Sequence, residues 1–186
     1  MKRLSQSKIT LIIGGCRSGK SEYAEQLAYE AKGPVYYLAT GVVTDEEMER
    51  RVEQHQLRRP AHWETIEEPL HPEQAVARLK DRQGVLLVDS LSGWVTNLLY
   101  DNNLINWQWD QAKEDQALAL IRAFIGELQQ SSLHALIVGD EVGLSLVPPT
   151  AEGRAFRDLN GKANQLVAAA ADQVYLVVAG LPVKIK

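Results

Sequence analysis

The stretch Gly14-Gly15-Cys16-Arg17-Ser18-Gly19-Lys20-Ser21 (GGCRSGKS) decides the fold. It satisfies G-x-x-x-x-G-K-[ST] at every fixed position. The run before it, Ile9 to Ile13 (ITLII), is apolar and β-branched, the composition of a strand buried in a parallel sheet. The run after it, Ser21 to Ala28 (SEYAEQLA), reads as a helix. Strand, glycine-rich turn and helix in that order build a phosphate cradle. Glycines let backbone N–H groups turn inward and the helix N-terminus adds partial positive charge, while Lys20 reaches β- and γ-phosphates and the Ser21 hydroxyl can ligate Mg²⁺. An ordinary glycine-rich strand-to-helix turn is the competing reading, and the strand and helix on either side weigh against it.

A chain of 186 residues matches the size of one domain, so residues 1–186 are expected to form a single P-loop nucleotide-binding catalytic domain with a full core. Apolar residues at 45% and charged residues at 24% are the balance of a soluble globular protein. The net charge of −4 leaves no basic surplus to neutralise a nucleic-acid backbone, so no nucleic-acid partner is expected. Cys16 is the one cysteine, which excludes an intrachain disulfide and a multi-cysteine metal site. Met1-Lys2-Arg3 followed by an apolar run superficially resembles a lipoprotein signal. Its apolar core is shorter than the roughly 7–15 residues such a signal needs. With no run long enough to span a membrane, a cytoplasmic location is expected.

Further along, Gly33-Pro34 breaks the first helix and Val35 to Ala39 (VYYLA) forms a second buried strand that ends at Ala39-Thr40-Gly41, a ligand-facing position in an open parallel sheet. Thr44-Asp45-Glu46-Glu47 is a capping box opening a helix through about Arg58. Trp63 to Glu67 alternates as a short strand, and Pro72 to Lys80 is helical. Val85 to Asp89 (VLLVD) has the form of a Walker B strand whose acid would hold Mg²⁺ directly or through water. A buried strand ending in a helix-capping Asp is the alternative. A short helix follows over Ser90 to Tyr100, then a polar linker over Asp101 to Asn106.

From Trp109 to Gln130 a long helix buries Ala117, Ile121, Phe124, Ile125 and Leu128. Trp107 and Trp109 read as packing residues rather than a base-stacking pair. The strand His134 to Gly139 leads into a loop, Glu141 to Thr150, at the same end of the sheet as GGCRSGKS. A helix over Ala151 to Ala171 turns Phe156, Leu159, Ala163, Leu166 and Ala170 inward. Gln173 to Val178 is a last central strand, and Gly180 to Lys186 turns back as an antiparallel edge. Strands alternating with helices, without a repeat, give one doubly wound sheet.

His62, His71 and His134 read as structural or solvated. His55 differs, because it shares a helix face with Met48 and Val52 and sits among Arg50, Arg51, Arg58 and Arg59. Neighbouring cations favour a neutral imidazole, which is the nucleophilic form. A packed core histidine is the alternative.

Several blocks carry a resemblance beyond the cradle: Ala39-Thr40, HQLRRPAHW (His55 to Trp63) with Thr65-Ile66-Glu67, Asp89 with WVTNLL (Trp94 to Leu99), Glu141-Val142-Gly143 with Val147-Pro148, Arg154 to Asn164, and the ending VYLVVAGLPVKIK. In these the chain resembles, over essentially its whole length, the bifunctional adenosylcobinamide kinase/adenosylcobinamide-phosphate guanylyltransferase family of cobalamin biosynthesis. The resemblance implies an α/β fold of the P-loop NTPase (RecA-like) type, a mostly parallel sheet flanked by helices. It implies that an NTP phosphorylates adenosylcobinamide and that GMP from GTP, carried on a histidine, is then transferred to adenosylcobinamide phosphate.

His55 falls at the guanylylated position, with Lys20 as its catalytic companion. Nucleotide contacts fall on Gly14, Gly15, Cys16, Arg17, Ser18, Gly19, Lys20, Ser21, Ala39, Thr40, Gly41, Gln56, Leu57, Arg58, Arg59, Glu67 and Asp89, with Ser21 and Asp89 toward Mg²⁺. GTP and ATP are the implied substrates, and a homotrimer the implied assembly. Asp89 stands where some relatives carry Glu, and Cys16 where many carry a smaller residue. Two other readings remain open on the residues alone: a small-molecule P-loop kinase with His55 merely packed, and a nucleotide switch acting through a protein partner.

Overall fold

The computed structural model describes residues 8–42, 46, 50, 59–100 and 107–186. In chain order the elements are β1 (Lys8–Gly14), α1 (Lys20–Glu30), β2 (Val35–Ala39), β3 (Glu64–Glu67), α2 (Pro72–Leu79), β4 (Gln83–Asp89), α3 (Leu91–Tyr100), α4 (Gln111–Gln130), β5 (Ser132–Asp140), α5 (Ala151–Ala170), β6 (Gln173–Val178) and β7 (Leu181–Lys184). The capping box from Thr44, the helix through Arg58 and the linker over Asp101 to Asn106 lie outside the described residues. Glu46 and Arg50 are the exceptions; both are helical, with Arg50 Nε donating to the Glu46 carbonyl at 3.1 Å.

The strands make one sheet in the order β3-β2-β4-β5-β1-β6-β7. Every neighbouring pair is parallel except β6 with β7. The antiparallel return is tight: Ala179 and Gly180 both have positive φ, 51° and 79°, the backbone of a two-residue hairpin turn whose twist suits the strands it joins.

Apolar runs such as VLLV and TLII are buried because the sheet is covered on both faces. On one face Leu11, Leu38, Leu86, Val88 and Ile137 pack against α2, α3, α4 and α5. Trp94 is fully buried there, meeting Phe124 edge-on at 5.4 Å between ring centres and donating its indole N–H to the Leu70 carbonyl at 3.0 Å. On the other face Ile12, Tyr37, Leu87 and Val138 pack against Ala24 and Ala28 of α1 and against Trp63.

The long helices begin where a side chain can accept their first free N–H groups. Asp110 accepts from Lys113, so α4 starts at Gln111 rather than at Trp109, and Thr150 accepts from Gly153 to start α5. Trp109 instead packs against the core. The buried stripe of α4 matches the expected residues with Leu118 added. That of α5 is shifted: Leu159, Asn160, Ala163, Asn164 and Val167 are buried, whereas Phe156, Leu166 and Ala170 are only partly so. Two asparagines on an apolar stripe need partners, and the top of β5 supplies them.

Parallel pairing levels the strand ends. Gly14 lies opposite Asp140 and Val177, and Ala39 lies opposite Asp89 and Glu67. The C-terminal ends of β1, β2, β3, β4 and β5 therefore form one rim, the place where open parallel sheets bind ligands.

Trp94 joins burial, ring contact and a hydrogen bond in one side chain. Trp94→Ala is expected to lower the unfolding free energy by about 3–5 kcal/mol in urea denaturation. A loss under 1 kcal/mol would show that α3 and α4 do not depend on this contact.

Candidate functional site

The loop between β1 and α1 is built around close backbone approaches. A β-carbon on Gly14 would fall against Ser18 Oγ and 2.6 Å from the Val177 carbonyl, so only glycine fits. Gly19 has φ 93°, a left-handed conformation that glycine adopts without strain, and its α-carbon side faces the backbone of Gly180. The turn is closed by Ser18 N–H on the Gly15 carbonyl (3.2 Å) and braced from outside by Gly180 N–H on the Ser18 carbonyl (2.8 Å). No side chain caps α1 at Gly19. Its first N–H groups are thus left for an anion, with the helix dipole behind them. Ser18 Oγ is buried without a hydrogen-bond partner among the described residues.

Lys20 opens α1 and folds back over this loop. Its ammonium donates to the Gly15 carbonyl at 3.3 Å and pairs with Asp140 Oδ1 at 2.7 Å. Asp140 is in turn anchored by its backbone. Its N–H donates to Ser92 Oγ at 2.7 Å, and its carbonyl accepts from Asn160 Nδ2 at 2.8 Å and Asn164 Nδ2 at 3.0 Å. Ser92 Oγ also donates to Asn160 Oδ1 at 2.9 Å. Asn164 Oδ1 has no partner among the described residues, but the remaining bonds satisfy the backbone of Asp140 and hold it in place.

At the neighbouring strand end, Tyr37 donates its hydroxyl to Asp89 Oδ2 at 2.7 Å. Burial, reinforced by the Asp89 charge, holds the Tyr37 hydroxyl far above the ordinary tyrosine range, and the nearby Arg59 charge offsets only part of this. Tyr37 is therefore a fixed neutral donor that orients the carboxylate. The Arg59 guanidinium lies over the same ring, 3.3 Å from its centre. That stacking ties Arg59, and with it the chain entering β3, to β2 and, through the Tyr37 hydroxyl, to Asp89 at the end of β4.

Thr40 is buried and makes a second tie. Its hydroxyl donates to the Ser90 carbonyl (2.7 Å) and accepts from Ser90 N–H (3.0 Å), its N–H donates to the Asp89 carbonyl (3.3 Å), and its carbonyl accepts from Asn97 (2.7 Å). All its polar groups serve the junction of β2 with β4.

The expected site residues are thus placed along the rim in two groups. Gly14 to Ser21 and Asp89 lie toward its middle; Ala39, Thr40, Gly41, Arg59 and Glu67 lie toward the β3 side. Glu67 is exposed and four strand spacings from β1, on the order of 19 Å. Tyr37, Asp89 and Arg59 bridge the groups. His55, Gln56, Leu57 and Arg58 lie outside the described residues. Cys16 is exposed. Sequence reasoning missed Tyr37, Asp140, Ser92, Asn160 and Asn164. For the asparagines a signal existed, an i,i+4 amide pair beside Leu159 and Ala163; for the Lys20 to Asp140 pair there was none, since nothing local links residues so far apart.

Oxygen donors suited to a hard cation are present in the Ser21 hydroxyl and the Asp89 carboxylate. Among the described residues no group of three or more His, Cys, Asp or Glu could hold a metal alone.

Comparison with known proteins adds the following. The family model described as cobinamide kinase / cobinamide phosphate guanyltransferase matches residues 10–185. The bifunctional adenosylcobalamin biosynthesis protein CobU of Escherichia coli K12 is 39% identical over 95% of this chain and 98% of its own, and that of Salmonella typhimurium 40% identical over the same shares. The bifunctional adenosylcobalamin biosynthesis protein CobP of Pseudomonas aeruginosa is 39% identical over 95% of this chain and 96% of its own. In structure, the chain superposes on an ATPase of a bacterial type III secretion system with a TM-score of 0.58 at 11% identity, covering 96% of this chain and 57% of that one. That likeness shows the P-loop ATPase type of fold.

Tyr37→Phe keeps the ring beneath Arg59 and removes only the donor to Asp89. The expected cost is about 1.5–3 kcal/mol in chemical denaturation, the range for a hydrogen bond to a charged group. An unchanged midpoint would mean that the carboxylate does not depend on Tyr37.

Proposed function

The chain belongs to the cobinamide kinase / cobinamide phosphate guanyltransferase family, and from that premise we propose that it phosphorylates adenosylcobinamide with a nucleoside triphosphate and then transfers GMP from GTP, by way of His55, to give adenosylcobinamide-GDP. The observation that carries the reading is the rim itself. An uncapped helix N-terminus, a glycine-walled loop and the Lys20 ammonium converge at the end of β1, with a hydrogen-bonded carboxylate, Asp89, two strands away.

In the kinase step, the loop Gly14 to Ser21 binds the triphosphate and Lys20 neutralises charge on the β- and γ-phosphate oxygens, with Arg17 beside it. Transfer to a hydroxyl then needs positioning and charge compensation rather than a covalent intermediate. ATP and GTP both fit this chemistry. Mg²⁺ suits the site because it accepts one or two protein oxygens and takes the rest from phosphate and water, which matches Ser21 and Asp89 in the absence of a closed acidic cluster among the described residues. When bound it would supply further charge neutralisation.

In the second step an imidazole nitrogen of His55 attacks the α-phosphorus of GTP. A P–N bond forms, the bond to the pyrophosphate oxygen breaks, and pyrophosphate leaves with the electron pair. An oxygen of adenosylcobinamide phosphate then attacks the same phosphorus and the P–N bond breaks, returning the imidazole. Dividing the displacement in two replaces one difficult step with two easier ones. Arg59, docked on Tyr37, fixes the C-terminal side of the His55 segment to the rim. Gln56, Leu57, Arg58, Ala39, Thr40, Gly41 and Glu67 complete the guanine nucleotide contacts in this reading.

We further propose that residues 1–186 act as one catalytic domain in the cytoplasm and assemble as a homotrimer. The outer edge of β7, which pairs with no further strand among the described residues, supports assembly, since Leu181, Val183 and Ile185 are exposed along it. Light scattering on the purified protein should give three times the chain mass; a monomer at working concentrations would reject the trimer.

The test of the two activities uses α-labelled GTP. Wild-type protein should retain label in an acid-labile, base-stable adduct. His55→Ala should lose adduct and guanylyl transfer while still phosphorylating adenosylcobinamide, and Lys20→Ala should lose both activities by at least about 100-fold. Label retained by His55→Ala would place the nucleophile elsewhere; no label on the wild type would favour a simple kinase with His55 packed.

A further inference from the structure

We propose that Asp140 is a latch for Lys20, a positioning residue that holds the ammonium across the cradle and must release it when a triphosphate binds. The proposal rests on reading Gly14 to Ser21 as a triphosphate site, and extends it to a residue that the P-loop motif does not contain.

The geometry supports a latch rather than a passing surface pair. Lys20 is bound on two sides within the loop it must serve, by the Asp140 carboxylate at 2.7 Å and the Gly15 carbonyl at 3.3 Å. Its side chain is 13% exposed and that of Asp140 is 35% exposed, so water reaches the acid but scarcely the ammonium. Asp140 itself cannot drift. Ser92, Asn160 and Asn164 hold its backbone N–H and carbonyl, and the next residue, Glu141, donates its N–H to the Gly14 carbonyl at 2.9 Å. Gly139 leaves the room this needs: a β-carbon there would come within 2.9 Å of Asn164 Oδ1. Ordering a buried network beneath a single acid is costly unless the position of that acid matters.

Two consequences follow from electrostatics. A phosphate oxygen and the Asp140 carboxylate compete for one ammonium, so part of the phosphate's attraction is spent in opening the existing pair. Once Lys20 has turned away, the uncovered carboxylate faces an anionic phosphate chain. That repulsion favours binding together with a divalent cation over binding of the bare triphosphate.

Affinity of the full chain for a fluorescent GTP analogue reads both effects, measured with EDTA and with Mg²⁺. Asp140→Asn keeps size and backbone bonds while removing the charge. It should tighten metal-free binding roughly two- to fivefold, the scale of a partly exposed ion pair, with a smaller gain in Mg²⁺. In a Lys20→Met background the same substitution should give a smaller gain, because only the repulsion is left to relieve and there is no ammonium to release. Unchanged or weaker metal-free binding by Asp140→Asn overturns the latch, and so does an equal gain in both backgrounds, which would indicate plain charge repulsion. Asp140→Ser serves as the second charge-free variant should the Asn protein fold poorly. Loss of Mg²⁺-dependent binding in Lys20→Met alone supports the cradle reading whatever Asp140 does, so the two ideas fail separately.

Discussion

There is no room for a β-carbon at Gly14, and much of the rim is arranged around that fact. The last residue of β1 sits beneath Ser18 and beside the Val177 carbonyl, so the chain leaving the strand must rise steeply before it can start α1. The rise puts Gly19 in a left-handed conformation and leaves the helix without a side-chain cap. In most helices an exposed cap residue settles the first N–H groups. Here they remain available because the space a cap would need is the space a ligand uses. The strength of the site for anions is the same thing as the incompleteness of its helix.

Closing the other strand ends poses the opposite problem. The tops of β2, β4 and β5 carry backbone groups that no further strand residue can pair, and helices packed over them exclude water. Thr40 with Ser90 and Asn97 satisfies one junction; Ser92 with Asn160 and Asn164 satisfies another. These amides and hydroxyls fix the heights of Asp89 and Asp140 relative to the loop. Positioning of the charged residues is thus delegated to neutral ones, whose hydrogen bonds do not titrate near neutral pH.

The parts of this arrangement that could be read from sequence are those with a local signature. VYYLA, VLLVD and the GGCRSGKS turn announce themselves because a strand buried on both faces must be apolar and a phosphate loop must carry glycines and a lysine. The parallel order and the antiparallel return follow from alternation of elements and from Ala179-Gly180. The buried stripe of α5 was misjudged because hydrophobic spacing was taken as the only reason for burial; Asn160 and Asn164 are inside to serve the backbone of Asp140, a reason that lies on another strand. Tyr37 looked like one more aromatic in a core strand. Its hydroxyl matters through Asp89, 52 positions later, and such pairings exist only once the sheet has aligned β2 with β4. His55 lies outside the described residues, and its proposed role rests on its family block rather than on geometry.

The turn between β6 and β7 carries an implication for how the gene tolerates change. Gly180 donates to Ser18 and abuts Gly19, and Lys186 reaches back to the carbonyls of Ala168 and Ala169 at the end of α5. A reading frame interrupted after the codon for Val178 would keep the whole of Gly14 to Ser21 and still lose the strut that holds that loop in shape. The turn at Ala179-Gly180 is therefore a support for the loop over Gly14 to Ser21, and a change there acts on that loop from behind.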